Sequence, residues 1–253
     1  MLRKLSKVSL LLVLVTTLFA STALANASSE PVEYTAEEYV NYLNQLISEG
    51  DTEAIETLEQ FTNLVPSKQN AFLNFIASED YVNAIGDMLS GKEGSLYEDK
   101  YKEIFIEVET TTIEDSQANQ FSTNALAAQA NQHASVSRSV KLAAFGIDTT
   151  TITLTVSWEH NGSVAVKPLQ VIQGHTNKNP LYFLSETSNN SPGFISEGYF
   201  NASGTWTMRA TGAAGFLSDT LGINIKASTP SHRYYSFTTS HSNMTPTNGW
   251  VAF

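Results

Sequence analysis

The sequence predicts an α+β protein, a small N-terminal helical bundle followed by a C-terminal antiparallel β-sandwich. Three observations carry this. Residues 35–90 repeat apolar side chains at helical spacing; from Val140 onward apolar and polar residues alternate; and Asn161-Gly162 joins two alternating runs. Asn-Gly between such runs is a strong hairpin signal, because a type I′ turn needs positive φ at both central residues.

The chain opens with Arg3, Lys4 and Lys7, an apolar run from Val8 to Leu18, and then Ala23-Leu24-Ala25. These are the three parts of a secretory signal peptide, so residues 1–25 are expected to be cleaved after Ala25 and the product to be secreted and extracellular. The apolar run is well short of the roughly 20 residues that a membrane-spanning helix needs. There is no cysteine, so the exported chain has no disulfides and rests on its apolar core, a habit of bacterial exported proteins.

Four short helices are expected next. Thr35 and Glu38 form a capping box ahead of Tyr39, Val40, Leu43, Leu46 and Ile47, and Gly50 closes that segment. A second helix, from Asp51 or Thr52, turns Ile55, Leu58, Phe61 and Val65 towards a core until Pro66 stops it. Ser67 caps a third, and Ser78 or Asp80 starts a fourth that ends near Gly91.

Residues 104–113 alternate and suit a strand, placed either with the helices or at the edge of the β domain. Residues 114–139 are rich in Ala, Gln, Asn and Ser and read as a linker. Within it, Ala125-Leu126-Ala127 offers a small-residue processing site, as Ala23 and Ala25 do at the signal peptide. After Val140, strands are expected at 140–147, in the hairpin on either side of Asn161-Gly162, at 181–185, 194–200, 204–211, 222–227 and 233–239, and at 250–253. A two-residue turn at 161–162 would place Ile152, Leu154, Val156 and Trp158 on one face with Val171, Leu169, Lys167 and Ala165. The expected organisation is thus a signal peptide (1–25), an acidic helical module able to act as a prosegment (26–113), a linker (114–139) and a β-sandwich domain (140–253).

Charge divides the chain in the same way. Residues 26–115 hold 20 acidic and 4 basic residues, whereas residues 116–253 hold 5 and 7. An acidic block is the wrong footprint for nucleic acid. It suits a solvated helical surface, or a segment that masks the near-neutral β domain.

Chemistry-bearing patterns are sparse. There is no Gly-X-Ser-X-Gly elbow, no His-Glu-X-X-His and no phosphate-binding glycine loop, and thiol catalysis is excluded. No catalytic residue, metal ligand or cofactor is assigned. The histidines His133, His160, His175, His232 and His241 lack zinc-motif spacing. The β-domain carboxylates Asp148, Glu159, Glu186, Glu197 and Asp219 are scattered, with no spacing that pairs two across a sugar bond. Trp158, Tyr199, Trp206, Tyr234 and Tyr235 are the candidate binding residues, an aromatic platform for sugar or peptide, although Trp158 and Trp206 also fall in phase with core neighbours. Residues 149–158 have the length of a membrane-crossing strand, but Lys167 on the apolar face and Pro168 disfavour membrane action.

The expectation from sequence is therefore a secreted, non-enzymatic, bacteriocin-like antibacterial effector, made as a precursor with its helical half as prosegment and directed at a bacterial cell surface or envelope component. The alternatives are an extracellular cell-wall or polysaccharide-binding module, and a hydrolase with an unrecognised site.

Overall fold

The computed structural model describes residues 34–96, 103–115, 131–210 and 218–253. The signal peptide with Ala23 and Ala25, and the small-residue site at Ala125 and Ala127, lie outside the described residues.

Four helices come first: α1 (Ala36–Ser48), α2 (Glu53–Asn63), α3 (Pro66–Ile76) and α4 (Glu79–Ser90). The capping box forms: the Thr35 hydroxyl accepts from the Glu38 amide, and the Glu38 carboxylate accepts from the Thr35 amide at 2.8 Å. Helix α3 starts at Pro66 itself and not under a Ser67 cap, because the fixed φ of proline suits a first turn where no amide is needed. Helix α4 ends at Gly91, whose φ of +86° is the left-handed cap that glycine adopts without strain. In α2 the expected core face is corrected: Ala54, Thr57 and Phe61 are buried, while Ile55 and Val65 are 53% and 56% exposed.

The rest is two antiparallel sheets. Sheet 1 is a meander of β1 (Gly94–Leu96), β2 (Ile104–Asp115), β3 (Gln132–Ala144), β4 (Ile147–His160) and β5 (Ala165–Asn177). In sheet 2, β6 (Tyr182–Asn189) and β7 (Phe194–Ser196) both pair with β8 (Tyr199–Ala210), which leads on through β9 (Ser218–Thr229) and β10 (His232–Thr239) to β11 (Val251–Ala252). Residues 104–113 thus belong to the sheet. Residues 132–139, expected in the linker, are the first part of β3, and residues 116–130 lie outside the described residues. Small residues hid this strand: Ala134, Val136 and Val140 point inward and Ser135, Ser137 and Ser139 outward, a period of two without bulk.

The sheets pack face to face. Trp158 of β4 stacks on Phe200 of β8, ring centroids 5.6 Å apart and planes 9° from parallel. The approach is close enough that a Cβ on Gly204 would lie 2.8 Å from Leu154 Cδ1.

The central hairpin exists, with a different register. Residues 161–164 form the loop; Asn161 Oδ1 accepts from the amides of Ser163 and Val164, and only Gly162 has positive φ. Irregularities at Ser157/Trp158 and Glu159/His160 then set Trp158 opposite Pro168 and His160 opposite Ala165. Pro168 has no amide for a regular ladder, and a bulge beside it re-aims the strand. Lys167 is therefore not on the apolar face. It is exposed and pairs with Glu159 at 2.8 Å. The type I′ geometry occurs elsewhere: Phe145 and Gly146 (φ +56° and +79°) join β3 to β4, and Glu197 and Gly198 (φ +52° and +78°) join β7 to β8. Expected strands 140–147 and 194–200 are each interrupted by one of these turns.

Helices and sheets share one buried cluster, which runs from Tyr39, Phe72, Phe75, Tyr81 and Met88 through Val136, Ile152 and Trp158 to Trp206, Ile225 and Phe237. Polar contacts tie the layers together. The Tyr39 hydroxyl donates to the Lys178 carbonyl at 3.1 Å, the Asn179 side-chain Nδ2 to the Ile76 carbonyl at 2.8 Å, and the Tyr235 hydroxyl to the Ser90 carbonyl at 2.9 Å. Tyr81 hydrogen-bonds Thr150 and stacks on Tyr182 at 5.3 Å, and burial pushes its hydroxyl up to about 12.

Candidate functional site

The outer face of sheet 1 is built by alternation. On β3 it presents Ser135, Ser137, Ser139 and Lys141, and on β4 Thr151, Thr153, Thr155 and Ser157, all half-buried. Facing hydroxyls pair across the strands, Ser137 with Thr155 at 2.9 Å and Ser139 with Thr153 at 3.0 Å, a cross-strand arrangement that suits antiparallel neighbours.

Helix α2 stands over one end of this face and leaves a cleft of about 460 Å³. One wall is Glu53, Glu56, Thr57 and Gln60 of α2. The floor is Ser139, Lys141, Thr151 and Thr153. The far side adds Glu109 of β2, Asp148 of β4, His175 of β5 and Lys178. Among the described residues, no aliphatic side chain and no Phe, Tyr or Trp lines it. Ile55 lies on the side of α2 away from these cleft residues and is exposed there.

Charge in the cleft is partly compensated. Lys141 lies 3.2 Å from Asp148 and 3.4 Å from Glu107. Despite the desolvation of its ammonium, these contacts hold Lys141 above its ordinary value. Lys178, with a side chain only 4% exposed, pairs with Asp51 and lies 3.9 Å from Glu53. Glu56 accepts from Gln60 at 3.1 Å. Among the described residues, neither Glu56 nor Glu109 has an ion-pair partner, so the cleft carries a net negative charge.

The structure does not bring the aromatic candidates together. Trp158 and Trp206 are fully buried, and Trp158 Nε1 donates to the Ser228 carbonyl at 3.3 Å. Tyr235 is 5% exposed beneath Arg138, Tyr199 lies under Lys226 with the ammonium 4.3 Å from its ring centroid, and Tyr234 is half-buried. The expected platform of all five is therefore corrected: Trp158 and Trp206 are core, Tyr199 and Tyr235 lie under separate cations, and Tyr234 is half-buried.

The candidate carboxylates are also dispersed. Glu159 pairs with Lys167, Glu186 with His175 at 3.3 Å, and Asp219 accepts from Ser240; Glu197 sits in a turn. Of the five, only Asp148 reaches the cleft. His160 Nδ1 accepts from the Gly162 amide at 3.1 Å, and no set of three or more His, Asp or Glu among the described residues is placed to hold a metal ion. Glu53, Glu56 and Glu109 were not selected from sequence, where the acids of the helical segment read as a solvated face.

These features define an α+β protein of two packed sheets with a helical layer and a polar, acidic cleft. Comparison with protein families, curated proteins and solved structures found no match.

Proposed function

We propose that the protein is a secreted, non-enzymatic binding protein that acts outside the cell on a bacterial envelope component, and that the cleft beneath α2 takes a neutral or amine-bearing glycan. The observation that carries this reading is the lining. A lining mainly of hydroxyls, carboxylates and one amide offers hydrogen-bond partners to a polyhydroxylated ligand and no large apolar side chain, among the described residues, to a lipid or an aromatic one. The net negative charge disfavours acidic polysaccharides and suits amino sugars. Lys178 and Lys141 are already neutralised by Asp51 and Asp148.

Retention on insoluble chitin, chitosan and peptidoglycan tests the reading. Wild-type protein is expected to be retained on at least one of them. Glu56→Ala combined with Glu109→Ala, which removes two exposed carboxylates and leaves the core intact, should weaken retention about tenfold or more, given about 1.5–3 kcal/mol per hydrogen bond to a charged group. Failure of the wild type on all three materials removes the glycan reading.

The charge partition favours a second reading, an antibacterial effector held as a precursor by its acidic helical segment. Release of α1–α4 would uncover Phe75, Tyr81, Ile85 and Met88 from the shared cluster, which supports the helices as a permanent layer over a removable prosegment. Mass spectrometry of active culture supernatant distinguishes the two, with the permanent layer expecting an intact chain from residue 26 and the precursor a product beginning near residue 128. Insertion of the central hairpin into a membrane is disfavoured by Pro168, which sits opposite Trp158 without an amide to complete the ladder between β4 and β5.

A further inference from the structure

A second pocket, away from the cleft, surrounds Arg138. This residue occupies the inward face of β3 between Val136 and Val140 and is 4% exposed. Its guanidinium carbon lies 3.8 Å from the ring centroid of Tyr235 and 5.0 Å from that of Phe253. A buried guanidinium is costly unless paired. Among the described residues no carboxylate forms an ion pair with it. The C-terminal end of α4 stands beside it, since a Cβ on Gly91 would lie 3.3 Å from Arg138 Nη2. A helix end supplies only about half a negative charge, so the unit positive charge remains undercompensated. Desolvation accordingly pulls Arg138 down from its ordinary value, and Tyr235 and Glu93 offset only part of the fall.

Beside this guanidinium is a space of about 340 Å³. Its walls are of three kinds. Arg138 supplies a fork of five donors matched to a carboxylate. Glu93, which is exposed, supplies an anion. Val108, Tyr235, Val251 and Phe253 supply apolar surface. A plain anion would be attracted by Arg138 and repelled by Glu93, and a plain cation the reverse; a zwitterion satisfies both.

We propose that this pocket binds a small zwitterion of the α-amino acid type, its carboxylate on Arg138, its ammonium towards Glu93 and an apolar side chain against Phe253 and Val251. The assignment is independent of the glycan reading, because it concerns a different pocket and a different ligand.

Amide-resolved NMR titration of the full chain tests it with four probes: L-leucine, L-phenylalanine, N-acetyl-L-leucine and L-leucinamide. The two free amino acids are expected to shift the resonances of Gly91, Val108, Tyr235 and Phe253. Each capped probe should bind about tenfold or more weakly, because it lacks one charge-assisted contact. Glu93→Gln alters an exposed residue and should erase the preference for leucine over N-acetylleucine, while Arg138→Gln should remove binding of leucine. If Arg138→Gln does not fold, the probe series and Glu93→Gln decide alone. No shift with either amino acid at about 20 mM, weaker than any useful site, overturns the proposal, as does equal binding of leucine and both capped probes.

Discussion

Alanine in place of Trp158 is expected to lower the free energy of unfolding by about 3–5 kcal/mol, the range for a large aromatic removed from a packed core. Trp158 is fully buried, stacks on Phe200 across the two sheets and donates to the Ser228 carbonyl. Truncation therefore opens a cavity between the sheets and leaves a carbonyl of β9 without its partner. Urea unfolding followed by far-UV circular dichroism measures the loss. Trp158→Phe should recover part of it, because the ring stack returns while the indole donor does not. A loss below about 1 kcal/mol would mean that the sheets do not meet at this residue.

The second large effect lies where the helical layer joins the sheets. Lys178 is buried and its ammonium is paired with Asp51, which begins the turn into α2 and also accepts from the Ala54 amide at 3.1 Å. Asp51→Ala leaves that ammonium buried with Glu53, 3.9 Å away, as its remaining counter-charge. Removing one partner of a buried pair costs about 3–5 kcal/mol. Because Asp51 keeps a side-chain exposure of 30% and Glu53 remains, the low end is expected, about 3 kcal/mol, or about 6–12 °C in Tm for a domain of this size.

The same pair predicts an acid dependence. Burial raises the Asp51 carboxyl, but the hydrogen bond and charge of Lys178, with the amides of Ala54 and Glu53, outweigh it and hold the carboxyl below its ordinary value of 3.8. A depressed carboxylate contributes stability that is fully present above the unfolded pKa and is lost as pH falls through the folded one. The gap between wild type and Asp51→Ala should thus be full at pH 7 and still present near pH 4. It should close only in more acidic solution. A constant gap across that range would separate the stability effect from the ion pair.

Local signals were legible in this sequence where the physics is local. Thr35 and Glu38 specify the start of α1, Ser78 and Gly91 bracket α4, and period-two alternation marks β4. Register was less legible. The Asn-Gly pair announced a hairpin correctly, yet the side chain of Asn161 captured the amides of Ser163 and Val164, and the turn became longer than a type I′ turn. With the bulge beside Pro168, that moved Lys167 to the outside. Strand β3 was read as linker over residues 132–139 because serine and alanine carry little hydrophobic signal. Its stability comes from ladders with β2 and β4, contacts that no short window contains.

The candidate cleft and the Arg138 pocket were invisible for the same reason. Glu56 and Glu109 are more than fifty positions apart, and Arg138 meets Tyr235 and Phe253 only when the sheets close on each other. What the chain settles by itself is the kind and order of its elements, since caps, turn residues and periodicity act within a few residues. What tertiary structure alone decided is which faces meet. Burial of Trp158 and Trp206, exposure of Ile55 and the isolation of Arg138 all follow from the packing of distant layers, where the free energy of a side chain depends on neighbours brought in from elsewhere in the chain.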